Sequence, residues 1–311
     1  MLKTKITIAG IGGVGGYFGG LLANQYFKSD EVEICFFARG QNLNEIKKNG
    51  LKVIKGKSEI FCKPKIATDN PTEIGIADLI ILCTKSYDIE IVVQQLKPCI
   101  DENTIILPLL NGVDSKEKIQ KILPNNTILD GCVYIVSRLK QSGIIENIGN
   151  IQTLYFGIDG FSNQKLKYYE NIFKNANIEA TLSQNISSII WEKYIFISPT
   201  ATATTYFDKS IGEIISDKHI ETVTELINEI KQIANAKNIL ISEDIVEKTI
   251  NKLKSLPFDT TSSMHTDFKN KNKSSELESL TNYVIKQGKK YNIKTPTYIK
   301  TYNQLKSKSG I

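Results

Sequence analysis

Short apolar runs alternate with polar helical stretches along the first half of the chain. Residues 5–9 (Lys-Ile-Thr-Ile-Ala) read as a strand, and a glycine-rich turn follows at once. Residues 16–28 then carry Phe18, Leu21, Leu22 and Tyr26 at helical spacing. Val32–Ala38, Asp78–Thr84, Thr104–Leu109 and Leu129–Val136 are further apolar runs of strand length. Runs that are apolar throughout, rather than alternating, suit a parallel sheet covered on both faces. Within residues 144–158, the runs IIENIG and IQTLYFG read as a hairpin closing this domain.

The pattern changes after about residue 183. Asn185–Phe207 is a long apolar helical stretch. Val223, Leu226, Ile227, Ile230, Ile233 and Ala234 fall at helical spacing, as do Ile245, Val246, Thr249, Ile250 and Leu253, with Pro257 as a stop. Ser275 and Glu278 have capping-box spacing ahead of a helix through Leu280, Val284 and Ile285. The fold class is therefore α/β: an N-terminal Rossmann-like doubly wound parallel sheet over residues 1–183, then an all-helical domain over 184–311. The one compositionally biased segment is Lys/Asn-rich, near 269–274, and reads as an exposed loop.

Composition narrows the function classes. Lys+Arg minus Asp+Glu is 39 − 33 = +6. That balance suits a small anionic substrate or nucleotide, and equally follows from a lysine-rich composition. No basic run carries the interleaved aromatics of a nucleic-acid platform, so no nucleic-acid partner is expected. The cysteines (35, 62, 83, 99 and 132) show no CxxC pairing, which argues for free thiols in a reducing compartment. With only His219 and His265, far apart, no metal site is expected. No stretch approaches the roughly 20 apolar residues that span a bilayer, and MLKTKITIAG lacks a signal-peptide pattern. The expectation is a cytoplasmic protein with no membrane partner.

Gly10-Ile11-Gly12-Gly13-Val14-Gly15 fits GxGxxG after a strand and ahead of a helix. Gly10 allows the tight turn, Gly12 lets a pyrophosphate approach the backbone, and Gly15 lets the helix pack on the strand. The second strand ends at Phe37-Ala38-Arg39-Gly40, where NAD-binding domains usually carry a carboxylate for the ribose hydroxyls. Arg39 there suits a 2′-phosphate, so the expected cofactor is NADP(H) rather than NAD(H).

The stretch GIGGVGGYFGGLLA resembles the N-terminal signature of ketopantoate reductases (2-dehydropantoate 2-reductases). Leu82-Cys83-Thr84-Lys85 is similar to that family's strand-end TK motif, and Leu109-Leu110-Asn111-Gly112-Val113 to its NG motif. Trp191-Glu192-Lys193 is similar to its WxK helix, and Thr261-Ser262-Ser263-Met264 with Ser275-Glu276-Leu277 to its SSM…E segment. The resemblance covers nearly the whole chain. It implies Lys85 beside the cofactor and substrate, and Asn111 near the nicotinamide and the catalytic lysine. It implies a backbone contact from Ser137 to the cofactor, Ser263 on the substrate carboxylate, and Glu276 on the substrate hydroxyl or the catalytic lysine. Other roles stay open: a strand-end cap for Lys85, a type I′ turn for Asn111-Gly112, a helix N-cap for Ser263, and a first-turn acid for Glu276.

Reduction of a 2-keto acid needs hydride at the carbonyl carbon and a proton for its oxygen. No His–Asp pair is placed for that proton, and Lys193 is the candidate acid. The family usually has an asparagine four residues after this lysine and often another eight after it; here these are Ile197 and Ala201. A three-residue gap would align Ser198-Pro199 with the family's Asn-Pro, but it would turn the rest of the helix by roughly 300°. The favoured expectation is a more apolar pocket, with Thr200 supplying a hydroxyl. Ser263 and Glu276 also stand one residue further apart than in the family pattern. The function expected is reduction of ketopantoate to pantoate in pantothenate biosynthesis. The alternatives are a related hydroxyacid or opine-type dehydrogenase, and a non-catalytic NADP(H)-binding sensor. A homodimer is expected because helical second domains often pair.

Overall fold

The computed structural model describes residues 3–272 and 274–309. Met1 and Leu2 of the N-terminal reading, and Lys273 of the Lys/Asn-rich segment, lie outside the described residues. The chain forms two units, one holding residues up to 110 together with 115–186, the other holding 111–114 with 187–311. The short segment 111–114 thus groups with the helical unit rather than with its sequence neighbours.

In the first unit, β1 (Thr4–Ala9), β2 (Val32–Phe37), β5 (Ile66–Thr68), β6 (Leu79–Leu82) and β7 (Ile105–Pro108) form one parallel sheet in the order β5-β2-β1-β6-β7. Side chains alternate faces along each strand. Ile6, Ile8, Ile34, Phe36, Leu79, Ile81 and Leu107 join one core, while Ala9, Cys35, Phe37, Ile80, Leu82 and Ile106 join another on the opposite face. Both faces are covered, which is why β1, β2, β6 and β7 read as unbroken apolar runs, while the three-residue edge strand β5 did not. Helices α3 (Ile89–Leu96) and α4 (Ser115–Ile122) cover the second face through Val92, Val93, Leu96 and Ile119.

A second sheet was not foreseen from the sequence. It contains β3 (Leu51–Lys55), β4 (Ser58–Cys62), β8 (Asp130–Gln141), β9 (Ile144–Gly157) and β10 (Glu179–Ser183). The run Leu129–Val136 lies mainly in β8, which pairs antiparallel with β9; only its start meets the parallel sheet, where the Leu129 amide donates to the Ile106 carbonyl of β7. The expected hairpin within 144–158 is instead one long strand. The break between its two runs is absorbed by a register shift opposite Val136, between the Ile135 and Ser137 pairings, so no turn forms there. Helix α1 (Gly13–Gln25) lies between the two sheets. A Cβ on Gly16 or Gly20 would strike Ile145 or Val53 of the second sheet, while Phe18 and Leu22 pack with the parallel sheet's core. Its glycines sacrifice helix propensity for close approach. Helices α2 (Gly40–Asn49) and α5 (Gln164–Asn175) complete the unit.

The second unit is all helical: α6 (Ile186–Phe207), α7 (Ile211–Ser216), α8 (His219–Ala236), α9 (Ile245–Lys254), α10 (Ser263–Lys269), α11 (Tyr283–Tyr291) and α12 (Pro296–Ser309). A π-helical turn, Glu278–Asn282, runs directly into α11. The capping box expected ahead of it is not formed. Ser275 Oγ is buried without a hydrogen-bond partner, and the Glu278 carboxylate accepts from Asn282, Lys286 and Tyr302 instead. Against this widened turn, α6 directs two hydroxyls. Tyr194 donates to the carbonyls of Ser279 and Leu280, each at 3.0 Å, and Ser198 donates to Leu280 at 2.5 Å. Ser198 Oγ also lies 2.7 Å from the Tyr298 hydroxyl of α12. All of these groups are buried, so their hydrogen bonds cannot be exchanged for water.

Tyr194→Phe and Ser198→Ala are each expected to destabilise the protein by about 1–3 kcal/mol in urea denaturation. The double variant should lose more than the sum, because the Leu280 carbonyl then loses both donors. Additive losses would show that the two hydroxyls act independently.

Candidate functional site

The glycine-rich turn joins β1 to α1. Gly10 has φ +93°, and a Cβ there would lie 2.9 Å from the Cys83 carbonyl, so only glycine fits. A Cβ on Gly15 would come closer still, 2.1 Å from the Gly10 carbonyl oxygen. Around Gly12 the space is open, and a Cβ there would meet no atom within 4 Å. Gly12 also caps α1 without any side-chain hydrogen bond, and no acidic residue stands in the first turn. The amides of Gly13, Val14 and Gly15 thus begin a helix whose positive end has no anionic partner of its own, which fits a dinucleotide pyrophosphate.

Two side chains hold this turn in place. Ser137 Oγ on β8 donates to the Gly13 carbonyl at 2.9 Å, so its hydroxyl is committed to the protein. Asn42 on α2 donates to the Ile11 carbonyl at 2.8 Å and accepts the Gly143 amide at 2.8 Å. It thereby ties the turn to the β8–β9 connection. Sequence reasoning missed Asn42, because an asparagine inside a helix carries no local sign of a partner 31 residues away.

Arg39 stands at the carboxyl end of β2, where it precedes α2, and its side chain is 74% exposed. It donates to Asp88 at 3.2 Å. Asp88 is a second residue that the sequence reading missed. Lys85 is exposed in the loop after β6, and its ammonium has no partner among the described residues. Its carbonyl accepts the Asp88 amide at 2.9 Å.

In the helical unit, Lys193 on α6 donates to Asn111 Oδ1 at 3.2 Å. Asn111 lies in a bend with negative φ, so Asn-Gly is not a type I′ turn here. The bend is held by Asp114, whose carboxylate accepts the Ser279 hydroxyl at 3.1 Å from the π-helical turn. Glu276 is buried, at 3% exposure, immediately before that turn. Ile197 is half-buried one turn beyond Lys193 and packs against the helical core, while Ala201 is buried. The Thr200 hydroxyl, expected to face a ligand, donates to the Phe196 carbonyl of its own helix at 2.6 Å. Ser198 faces the core, as the π-turn contacts require, and not the side of Lys193.

Ser263 is exposed at the first position of α10. The N-cap is its neighbour Ser262, whose Oγ accepts the His265 amide and lies 2.8 Å from Thr204 Oγ1. Buried His265 fixes the start of α10 to the end of α6 through Thr261 and through Asp208, 2.6 Å away. That hydrogen bond holds the Asp208 carboxyl below its ordinary range. A cavity of about 700 Å³ elsewhere in this unit, lined by Tyr206, His219, Glu225 and Lys300 among others, contains none of the sequence-predicted residues.

The five cysteines are free thiols. Burial pushes Cys35 and Cys62 up to about 12 and Cys99 up to about 11, so these are protonated core groups and not nucleophiles. Among the described residues no group of three or more His, Cys, Asp or Glu side chains is placed to hold a metal ion. Among them, too, no helix is long and apolar enough to cross a membrane.

Comparison with known proteins agrees with this architecture. The sequence profile of Ketopantoate reductase PanE/ApbA matches residues 6–159, and that of Ketopantoate reductase PanE/ApbA C terminal matches residues 185–309. An "Uncharacterized oxidoreductase YkpB" of Bacillus subtilis is 27% identical over 97% of both chains. A 2-dehydropantoate 2-reductase of Streptococcus pyogenes serotype M1 is 28% identical over 94% of this chain and 93% of its own. The crystal structure of 2-dehydropantoate 2-reductase from Porphyromonas gingivalis W83 superposes with a TM-score of 0.86 at 33% identity, covering 98% of this chain and 99% of that one. The chain belongs to the ketopantoate reductase family, as an oxidoreductase of the 2-dehydropantoate 2-reductase type that uses NADP(H) to reduce a 2-keto acid.

Proposed function

We propose that the protein reduces 2-dehydropantoate to pantoate in pantothenate biosynthesis, with Lys193 as the proton donor. The observation that supports this most directly is the Lys193–Asn111 hydrogen bond, which joins two motifs 82 residues apart. In this reading the glycine-rich turn, residues 10–15, carries the coenzyme pyrophosphate, and Arg39 receives the adenosine end. Ser137 contributes through its main chain, since its hydroxyl is engaged by Gly13. Bound NADPH supplies the hydride.

The remaining chemistry belongs to the side chains. An ammonium has three N–H donors. One of Lys193's goes to Asn111 Oδ1, which fixes the nitrogen's direction. Another, aimed at the keto oxygen, stabilises negative charge as it develops and then delivers the proton. The product is the 2-hydroxy acid; Lys193 is left as a neutral amine and recovers its proton from water. Ser263 binds the substrate carboxylate, and Lys85 draws the anion in by its unpaired charge. Glu276 accepts from the substrate hydroxyl. Five free thiols suit a reducing, cytoplasmic compartment.

Ile197 favours a second reading, in which the preferred keto acid has a more apolar tail than ketopantoate. It shares a helix face with Lys193 and offers no polar atom where a substrate hydroxyl would seek one.

Lys193→Ala is expected to lower kcat by about 10²- to 10⁴-fold in a NADPH-oxidation assay while NADPH binding persists. Wild-type turnover in that variant would remove Lys193 from the mechanism. Across a panel of 2-keto acids, Ile197→Asn should raise kcat/KM for ketopantoate by about tenfold and lower it for apolar analogues. Equal use of ketopantoate by both proteins would reject the second reading. Tight NADPH binding by wild type with no turnover of any keto acid would reject both readings in favour of a coenzyme sensor.

A further inference from the structure

The end of β2 has an arginine in the place where a dinucleotide-binding domain more often has an acid, yet a carboxylate is present there all the same. It is Asp88, from the loop after β6, with Oδ2 3.2 Å from Arg39 Nη2. Asp88 occupies the N-cap position of α3, where an aspartate ordinarily accepts an amide of its own helix. Here it makes no such side-chain bond. Its carboxylate goes to Arg39 instead, and it is 25% exposed, against 74% for the arginine. The loop is braced for this, with the Asp88 amide on the Lys85 carbonyl and the Val92 amide on the Asp88 carbonyl.

We propose that Asp88 supplies the ribose-hydroxyl acceptor that β2 itself lacks, so that the Arg39–Asp88 pair admits NADH as well as NADPH. The inference rests on the reading that the adenosine end of the coenzyme lies at Arg39. A 2′-phosphate seeks the guanidinium and is repelled by the carboxylate. A ribose 2′-hydroxyl donates to a carboxylate and gains little from the guanidinium. Five N–H donors let Arg39 keep Asp88 on one nitrogen and still face a phosphate with others. The pair is neutral where an isolated arginine would carry a full positive charge. Preference for NADPH therefore remains, but is smaller than Arg39 alone would set. Because the pair is solvent-exposed, the effect is a matter of several-fold and is sensitive to salt.

The test is a titration of the whole protein with NADPH and NADH, followed by nicotinamide fluorescence, with no keto acid present. Asp88→Asn should tighten NADPH about three- to tenfold and weaken NADH by a similar factor, with the NADPH gain shrinking at high salt. Arg39→Ala should weaken NADPH by about tenfold or more and leave NADH nearly unchanged. If Arg39→Ala weakens NADPH but Asp88→Asn leaves the ratio of the two affinities unchanged, or weakens NADPH, the role given to Asp88 is wrong and the coenzyme placement stands. If Arg39→Ala leaves NADPH affinity intact, the placement fails and the inference with it. Thermal melting of both variants identifies any loss that reflects unfolding, and such a loss in both would be answered with Asp88→Ser and Arg39→Gln judged by the same two criteria.

Discussion

The helical unit depends on how one carbonyl is satisfied. Leu280 lies in a π-helical turn, and its oxygen accepts from both Tyr194 and Ser198 of α6. A buried carbonyl carries a heavy desolvation cost unless donors meet it. Meeting it sets the rotation of α6 about its axis. With Tyr194 and Ser198 turned to the π-turn, Lys193 and Ile197 are turned elsewhere and stay half-buried. The neighbouring Ser279 donates to Asp114, and Asp114 anchors the bend that carries Asn111. The chain of contacts closes when Asn111 accepts from Lys193. Widened π-turns often occur at functional sites, and here the turn presents carbonyls to the hydroxyls of α6 and places a serine against the Asn111 bend.

The nucleotide-binding unit solves a different problem. Its first helix lies between two sheets, so glycines are needed on more than the turn. The same closeness places β8 against the start of α1, where Ser137 reaches the Gly13 carbonyl. Asn42 brings in α2 and the β8–β9 connection. The turn is thus rigid from the protein side and open at Gly12, an arrangement that favours a bound phosphate because little remains to be ordered when it arrives.

Polar groups outside these circuits are mostly structural. Ser262 is the cap of α10, and His265 joins that helix to Asp208 at the end of α6. This leaves the neighbouring Ser263 exposed at the helix start. Thr200 and Thr204 return their hydroxyls to α6's own carbonyls, close to Pro199, which lies inside that helix. Such local bonds satisfy hydroxyls inside an apolar helix without calling on a ligand.

What the sequence by itself determined was whatever depends on local period and local backbone need. Four of the parallel strands, β1, β2, β6 and β7, were legible because both faces of each are buried, leaving an apolar residue at nearly every position; the three-residue edge strand β5 was too short to read. The glycine-rich turn was legible because Gly10 needs a positive φ and Gly15 a close approach, which few other residues tolerate. Helix α6 was legible from its length and apolar character. The second sheet was not. Its strands are half exposed, its Gly56-Lys57 hairpin turn is a short-range signal that passed unread, and β9 changes partner from β3 to β10 along its length. Register between distant strands is a property of packing and leaves no mark at either strand. The same holds for Asn42 on Ile11, Asp88 on Arg39 and Asp114 on Ser279. Each is an ordinary polar residue until a partner 31 to 165 residues away is brought beside it. Residue type and spacing told which side chains were able to do chemistry. Only the tertiary structure decided which of them were committed to one another, because burial makes an unmet polar group costly and the fold alone determines what is buried.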